Sequence, residues 1–314
     1  MNKILKIAGT AWPLAENPLA IYLASLSPSG RRSIAGRLKY VSNLLGYDNP
    51  EIVPWHELRF QHVAAIRTKI QESGKAPATV NATIYALRGV ARASFNLGQM
   101  TADDYQRLRD VRPIKADRLP AGRSLTSGEI SAMINTCMDD DSPSGVRDAA
   151  LIAVMYCAGL RRAEAVSLRL GNSAITGDKG ELRVKGKGNK ERLVYVDNGA
   201  TEALKDWLSI RGNEPGPLFL PVNKGGKVGT QKMTEQAIYN MLRRRAEQAK
   251  VKSFSPHDLR RSFVSDLLDA GADITTVQKL AGHANIQTTA KYDRRGEEAK
   301  RKAVSLLHVP YRKR

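Results

Sequence analysis

The chain has 314 residues, 42% of them hydrophobic, and no apolar run approaches the ~18 residues that a membrane span requires. Its length suits two domains of roughly 100–200 residues each. Lysine and arginine number 50 against 31 aspartate and glutamate, a net charge of +19. Such an excess favours a polyanionic partner, nucleic acid above all, over a merely basic surface or a membrane-surface protein.

The N-terminal stretch and the cysteines predict a cytoplasmic protein. The opening "MNKILKIAGTAWPLAENP" lacks the long apolar core and the small-residue cleavage site of a secretory signal. Cys137 and Cys157 fall in different segments and have no metal-ligand spacing. Both observations favour a reducing compartment.

Residues 1–110 are predicted to form a helical domain. Segments such as "GRRSIAGRLKYVSNLLG" and "APATVNATIYALRGVARASFNLG" carry apolar residues at helical spacing and are punctuated by Pro, Ser, Gly and Asn. In the second of these segments Ala86, Val90 and Ala91 are expected to face inward. Arg88 and Arg92 share another face, which lies either along phosphates or in solvent.

Residues 111–124 form a polar, proline-containing stretch that is typical of an interdomain linker, and a second domain is predicted over 125–314. Thr126 and Glu129 have the spacing of a capping box at the start of its first helix. The following helix, "GVRDAALIAVMYCAG", is apolar nearly all round and is therefore expected in the core, with Gly159 at its C-terminal end.

The hydrophobic period changes between Glu181 and Val196, where "ELRV" and "RLVYV" alternate apolar and polar residues around the lysine-rich turn "KGKGNKE". This pattern predicts a β-hairpin. Helical spacing then returns in "GATEALKDWLSIRG", "TEQAIYNMLRRRAEQAK", "HDLRRSFVSDLLDAG", "DITTVQKLAG" and a basic segment over 297–307. The expected fold class is mainly α with a small antiparallel β-sheet in the C-terminal domain.

Several charged and titratable residues of the second domain are candidates for chemistry. Arg161 directly follows the buried helix, although a salt bridge to Glu164 is an alternative role for it. Lys187 lies in the glycine-flanked hairpin turn, which is otherwise typical of a solvated tip. His257 and Arg260 are three residues apart just after Pro256, so they share a face at a helix N-terminus that favours anions.

His283 and Tyr292 complete the set near the C-terminus, in the basic stretch "GHANIQTTAKYDRR". The sequence has no HExxH pair, no Cys/His cluster, no GxxxxGK[ST] loop and no GxSxG elbow, so no metal and no cofactor is expected. The remaining residue types suit attack by a tyrosine hydroxyl on a DNA phosphodiester. Arginines stabilise the extra charge of the transition state, and a lysine protonates the leaving 5′ oxygen.

Five segments of the chain, in this order, resemble the tyrosine recombinases of the phage integrase family, especially its Xer-like members. The segments are "APATVNATIYALRGVARASFNLG", "AGLRRAEAVSLRL", "VKGKGNKERLVYV", "SPHDLRRSFVSDLLDAG" and "ITTVQKLAGHANIQTTAKYDRR". They span nearly all of the second domain and, less specifically, the first. The resemblance implies a site-specific recombinase that cleaves and rejoins DNA strands through a 3′-phosphotyrosyl intermediate.

The resemblance also implies a role for each site residue. Tyr292 is the nucleophile, and Arg161 and Arg260 hold the non-bridging oxygens of the phosphate. His257 serves in proton transfer with the tyrosine, and His283 donates a hydrogen bond to the phosphate. Lys187 is the general acid, although Lys185 and Lys190 stay open as alternatives, and Glu164 supports the first arginine.

The partners implied are double-stranded DNA with paired inverted-repeat core sites and three further copies of the chain in a tetrameric synapse. The first domain is the core-binding half of a clamp around duplex DNA, in a cytoplasmic, nucleoid-associated enzyme. The tail "EEAKRKAVSLLHV" either docks into a neighbouring copy or folds back on its own domain. An accessory directionality factor is left open. No arm-binding domain is evident before Asn17, which favours simple core sites.

Two other classes remain as alternatives. The segment "RRSFVSDLLDAGADITTVQKLAG" also matches a helix-turn-helix with Gly271 at the turn, as in a DNA-binding regulator without chemistry. That alternative leaves Tyr292, the lysine hairpin and Arg161 unexplained. A type IB topoisomerase, or a telomere resolvase, would share the tyrosine nucleophile.

Overall fold

The structure is a computed structural model, and it describes residues 14–115, 122–171, 173–176, 179–186, 191–293, 301, 304–305, 307–308 and 310. The chain divides into two compact units, Met1–Leu119 and Pro120–Arg314. Within the described residues, no helix is long and apolar enough to cross a membrane.

The described part of the first unit is helical. Its helices are α1 (Pro18–Ala24), α2 (Pro28–Leu44), α3 (Phe60–Glu72), α4 (Pro77–Asn96) and α5 (Ala102–Arg109), with short 3₁₀ helices at Leu14–Glu16, Pro50–Ile52 and Trp55–Glu57. Proline begins α1, α2 and α4, where the missing N–H costs no helical hydrogen bond.

Helix α4 is central to the first unit and packs against the other four helices. Ala86, Val90 and Ala91 are fully buried in it, as the helical spacing predicts. Arg88 is half-buried, and its Nη2 donates to the carbonyl oxygens of Arg109 and Val111, both at 2.7 Å. This arginine therefore binds the end of α5 to α4.

The segment after α5 also packs on the first unit. The amide of Asn81 donates to Ile114 O at 2.9 Å and accepts from Ile114 N at 2.7 Å, and Val111 is buried. The backbone of Ile114, in the stretch that the sequence assigned to the linker, is therefore held by the side chain of Asn81 on α4. The polar composition of the stretch does not indicate this contact, because both hydrogen bonds come from one asparagine distant in the chain.

The second unit is mainly helical around one large core. Its helices are α6 (Ser127–Met138), α7 (Pro143–Cys157), α8 (Arg162–Ser167), α9 (Gly199–Arg211), α10 (Glu235–Gln248), α11 (Pro256–Asp269), α12 (Ile274–Ala281) and α13 (Ile286–Ala290). The predicted capping box is present, since Thr126 N donates to Glu129 Oε2 at 3.0 Å and Glu129 N donates to Thr126 Oγ1 at 3.2 Å. The segment "NIQTTAKY" before Tyr292 contains α13, which Asn285 caps by accepting from Gln287 N.

Helix α7 is buried nearly all round, as its apolar sequence predicts, and it ends before Gly159. Gly159 has a φ of +57°, and a Cβ there would lie 2.3 Å from the ring of Phe263 on α11. Both the left-handed backbone and the close approach require glycine. The turn directs the chain from the core into Leu160 and Arg161.

The predicted hairpin is confirmed as β3 (Lys179–Lys185) and β4 (Glu191–Asp197), which pair antiparallel from Lys179↔Asp197 to Lys185↔Glu191. A further strand, β2 (Ser173–Thr176), pairs with β3, and β1 (Arg169–Leu170) pairs with β5 (Gly216–Pro217). The sequence did not indicate these three strands, because segments of two to four residues carry no readable alternation. The fold class, mainly α with small antiparallel sheets, is as predicted.

Asp148 on α7 is a buried ionic centre in the second unit. Its Oδ1 accepts from Arg147 Nη2 at 2.6 Å, and its Oδ2 accepts from Arg245 Nε and Arg244 Nη2, both at 2.9 Å. Arg147 and Arg245 are themselves buried. The carboxylate therefore joins α7 to α10 across the core.

We expect Asp148→Asn to destabilise the second unit by about 3–5 kcal/mol, because it leaves the buried Arg147 without its counter-charge and removes one of the two carboxylates that bind the buried Arg245. Urea unfolding of the full chain measures this loss. The matched control is Asp141→Asn, an exposed aspartate seven residues earlier, which is expected to change stability by less than about 0.5 kcal/mol. Equal stability of the two variants would contradict the assignment of Asp148 as an ionic centre.

Candidate active site

Glu164 on α8 is the centre of an arginine cluster in the second unit. Its carboxylate is almost fully buried and accepts from Arg161 N at 2.9 Å and from Arg161 Nη1 at 2.7 Å. Arg192 of β4 donates to both oxygens, at 3.1 and 3.0 Å. Burial alone would raise the pKa of this carboxyl, but the bonds from Arg192 and Arg161 hold the pKa at about 2. Glu164 is therefore ionised at neutral pH.

Arg260 on α11 is buried at the edge of this cluster, with its Nη1 3.9 Å from Glu164 Oε2. Nη1 also donates to Gly159 O at 2.7 Å, and Nη2 donates to Ala281 O. Burial, and then Arg161, lower the pKa of this guanidinium to about 9, so it stays cationic at neutral pH. Its Nε–H is a buried donor without a hydrogen-bond partner among the described residues.

Arg161 differs from Arg260 in its exposure. It is the N-cap residue of α8, and 41% of its side chain is exposed although Nη1 is bound to Glu164. The salt bridge to Glu164, which the sequence offered as the alternative role, is thus present. It fixes one side of the guanidinium and leaves the remaining N–H groups accessible to a ligand.

Tyr292 and His257 lie beside each other at the surface of the cluster. Tyr292 Oη is 3.4 Å from His257 Nε2, which is long for a hydrogen bond. A small movement of the two side chains toward each other would allow proton transfer between these atoms. The Arg261 guanidinium carbon lies 5.5 Å from the centre of the tyrosine ring. Burial, and then the charges of Arg260 and Arg161, lower the pKa of His257 below its ordinary value, which favours the neutral, proton-accepting imidazole.

His283 follows α12, and the centre of its ring lies 6.2 Å from that of Tyr292. Its side chain is buried, and its Nδ1 is 2.9 Å from Thr289 Oγ1. Burial, followed by Arg260 and Arg161, lowers the pKa of His283 to about 4. This histidine is therefore neutral at the pH at which the arginines are charged.

The structure thus brings Arg161, His257, Arg260, His283 and Tyr292 together, while Lys187 lies outside the described residues, between β3 and β4. Of the alternative lysines, Lys190 also lies outside them. Lys185 ends β3, where its Nζ is 3.4 Å from Glu191 Oε1 in an exposed ion pair.

Arg192 and Thr289 are two members of the site that the sequence did not single out. Arg192 joins Glu164 to the end of α12, since its Nε donates to Leu280 O at 3.1 Å, and it packs closely against Gly282. It therefore connects the base of the lysine hairpin to both the arginine cluster and the His283 segment. A basic residue after a hairpin turn is too common to indicate this role from sequence alone.

Among the described residues, no group of three or more His, Cys, Asp or Glu lies close enough to hold a metal ion. The arrangement combines a half-buried phenol, a neutral histidine next to its oxygen, and two guanidinium groups held by one carboxylate. Such a set binds a phosphodiester and makes the phenol available for attack on it.

Comparison with known proteins identifies the family. A domain model described as the phage integrase family matches residues 123–298, more than half of the chain. The tyrosine recombinase XerC of Proteus mirabilis is 34% identical over 251 residues, which cover 77% of this chain and 76% of the relative. The tyrosine recombinase XerD of Lacticaseibacillus casei is 36% identical over 231 residues, with 71% and 74% of the two chains covered.

Solved structures share the fold. The XerH site-specific recombinase bound to a palindromic difH substrate, in a post-cleavage complex, has a TM-score of 0.66 at 18% identity, over 93% of this chain and 94% of that chain. A lambda integrase dimer bound to a COC′ core site has a TM-score of 0.65 at 14% identity, over 90% and 77%. The chain therefore belongs to the phage integrase family of tyrosine recombinases, enzymes that cleave and rejoin DNA.

Proposed function

We propose that this chain is a site-specific recombinase in which Tyr292 attacks a DNA phosphodiester, forms a 3′-phosphotyrosyl link and frees a 5′-hydroxyl. The observation that carries this proposal is the position of Tyr292 Oη, 3.4 Å from His257 Nε2 and beside the arginine cluster centred on Glu164. A DNA-binding regulator without chemistry has no use for a phenol and a neutral imidazole at this distance.

The remaining residues are assigned by what they offer to the phosphate. Arg161 supplies exposed N–H groups, and Arg260 supplies the buried Nε–H that has no partner within the described residues. Together they neutralise the charge that grows on the non-bridging oxygens. His257 accepts the phenol proton, and His283 donates a neutral hydrogen bond to the phosphate. Lys187 protonates the leaving 5′ oxygen.

The DNA partner is a duplex with paired inverted-repeat core sites, engaged by four copies of the chain in the cytoplasm at the nucleoid. Residues 1–110 form the core-binding domain, 111–124 the linker and 125–314 the catalytic domain. The net charge of +19 supports binding to a long polyanion. Two proteins of the same fold add support, because XerH is bound to a difH substrate and the lambda integrase dimer to a COC′ core site.

Contact between copies is supported by a groove in the second unit and by the tail. The groove lies between α6, α7 and α9, has a volume of about 780 Å³, and is lined by apolar side chains with Asp141, Asp197 and Asp206 among them. Val304 and Leu307 of the basic tail are 64% and 71% exposed. The tail of one copy therefore matches the groove of another in both polarity and charge.

Tyr292→Phe is expected to bind DNA as the unaltered chain does and to form no covalent adduct, because the substitution removes only the attacking oxygen. DNA that stays attached to each protein after isolation from cells under denaturing conditions is sequenced, which also reveals the site. The matched control is Tyr195→Phe, at an exposed tyrosine of β4. Adducts with Tyr292→Phe would refute the assigned nucleophile. Relaxation of a supercoiled plasmid without strand exchange on paired sites would favour a topoisomerase.

Lys187→Ala is expected to cleave ordinary DNA at least about 100-fold more slowly, since general acid catalysis contributes roughly 10²–10⁴-fold. Cleavage should recover when sulfur replaces the 5′ bridging oxygen, because a thiolate leaves without a proton. Lys185→Ala and Lys190→Ala are the matched controls, with cleavage near that of the unaltered chain. Sulfur rescue of one of these variants in place of Lys187→Ala would transfer the role to that lysine.

The cleavage rate at subsaturating DNA is expected to be constant from pH 6.5 to 8 and to fall as the pH drops below 6.5. The sign follows from His257, whose lowered pKa keeps the imidazole neutral down to a pH below its ordinary value of 6.5. Binding of DNA by Tyr292→Phe over the same range separates lost affinity from lost chemistry. An acid limb with its midpoint above pH 7 would exclude His257 as the proton acceptor.

A further inference from the structure

Thr289 of α13 is a buried residue whose hydroxyl contacts His283 and whose backbone carbonyl accepts from Tyr292 N at 2.9 Å. Its side chain has no exposed surface, and its Oγ1 lies 2.9 Å from His283 Nδ1. The backbone of His283 is fixed separately, because its N–H donates to Gln278 O at 3.1 Å and its carbonyl accepts from Gln278 Nε2 at 3.0 Å. The contact with Thr289 therefore orients the imidazole ring, whereas the backbone of His283 is held by Gln278.

Two proton arrangements fit this distance. In one, the threonine hydroxyl donates to Nδ1, and the imidazole proton is on Nε2. In the other, Nδ1–H donates to Oγ1, and the hydroxyl proton needs a second acceptor. Among the described residues, Oγ1 has no hydrogen-bond partner besides Nδ1. A buried hydroxyl proton without an acceptor is unfavourable, so the first arrangement is preferred.

The choice of tautomer matters because the ring is neutral. Burial and the nearby charges of Arg260 and Arg161 lower the pKa of His283 to about 4, so the imidazole carries a single N–H at neutral pH. If that proton is on Nε2, the ring offers a donor toward an incoming phosphate. If it is on Nδ1, the ring presents a lone pair that repels the phosphate oxygens.

We propose that Thr289 is a positioning residue that fixes His283 as the Nε2–H tautomer by donating its hydroxyl proton to Nδ1. This inference rests on the proposed function for its catalytic consequence, since a correctly oriented N–H is useful only if a phosphate binds there. Thr289 itself contacts neither DNA nor the tyrosine oxygen in this scheme.

The first test reads the tautomer in the free full-length protein, independently of any DNA. Protein labelled with ¹⁵N-histidine is studied by two-bond ¹H–¹⁵N correlation, and the spectrum of His283→Gln assigns the His283 signals. The expected result is the Nε2–H pattern in the unaltered chain and in Thr289→Ser, with a change of pattern in Thr289→Val. The Nδ1–H pattern in the unaltered chain would overturn the proposal.

The second test measures single-turnover cleavage at saturating DNA. Thr289→Val, which keeps the branched shape and loses the hydroxyl, is expected to slow adduct formation about 100-fold, as the loss of one preorganised donor does. Thr289→Ser retains the hydroxyl and should stay within about threefold of the unaltered chain. The matched control is Thr288→Val, at the exposed neighbouring threonine of the same helix, and its rate should be unchanged.

The outcomes separate this proposal from the proposed function. Equal rates for Thr289→Val and Thr288→Val, with an active unaltered chain, would refute the role of Thr289 alone. No adduct in the unaltered chain would refute the proposed function, while the tautomer is still read from the spectra. Thermal unfolding of Thr289→Val and Thr289→Ser is compared in parallel. Slow cleavage by both variants with equal loss of stability would reduce Thr289 to a packing residue and overturn the proposal.

Discussion

The arrangement of the site depends on the ionic interactions of the Glu164 carboxylate. It is buried, ionised, bound to Arg161 and Arg192, and close to Arg260. Guanidinium groups repel one another, and they stay together without a ligand only because a counter-charge lies between them. A buried carboxylate in turn is tolerated only when its oxygens are fully bonded. The arginines therefore stabilise the buried carboxylate, and the carboxylate stabilises the cluster of arginines.

This cluster also determines the protonation of its neighbours. The charges of Arg260 and Arg161 disfavour protonation of His257 and His283, in addition to the effect of burial. At neutral pH the arginines of the site are consequently charged, whereas its two histidines are neutral. Arginines hold their charge over the whole physiological range and suit a permanent phosphate clamp, whereas neutral imidazoles are able to accept or direct a proton.

The fold places these groups by ending several elements at one location. Gly159 directly after the cap of α7 supplies a carbonyl to Arg260, while the end of α12 supplies carbonyls to Arg260 and Arg192. Free C-terminal carbonyls of helices are natural acceptors for arginine. The same contacts that satisfy helix ends therefore orient the guanidinium groups. The same hydrogen bonds therefore complete the ends of these helices and determine the geometry of the site.

The sequence by itself determined the local structure and the residue types of the site. The helical spacing around Ala86 and Val90, the capping box at Thr126 and the alternation of the hairpin are local patterns, and each is present in the structure. The motifs around Arg161, His257 and Tyr292 indicated the chemistry. Only the tertiary structure decided the bonds between Arg192 and Glu164, between Thr289 and His283, and between Arg88 and the end of α5. Periodicity describes which face of an element is buried, but the partner of a buried polar group depends on residues distant in the chain that only folding brings within hydrogen-bond distance.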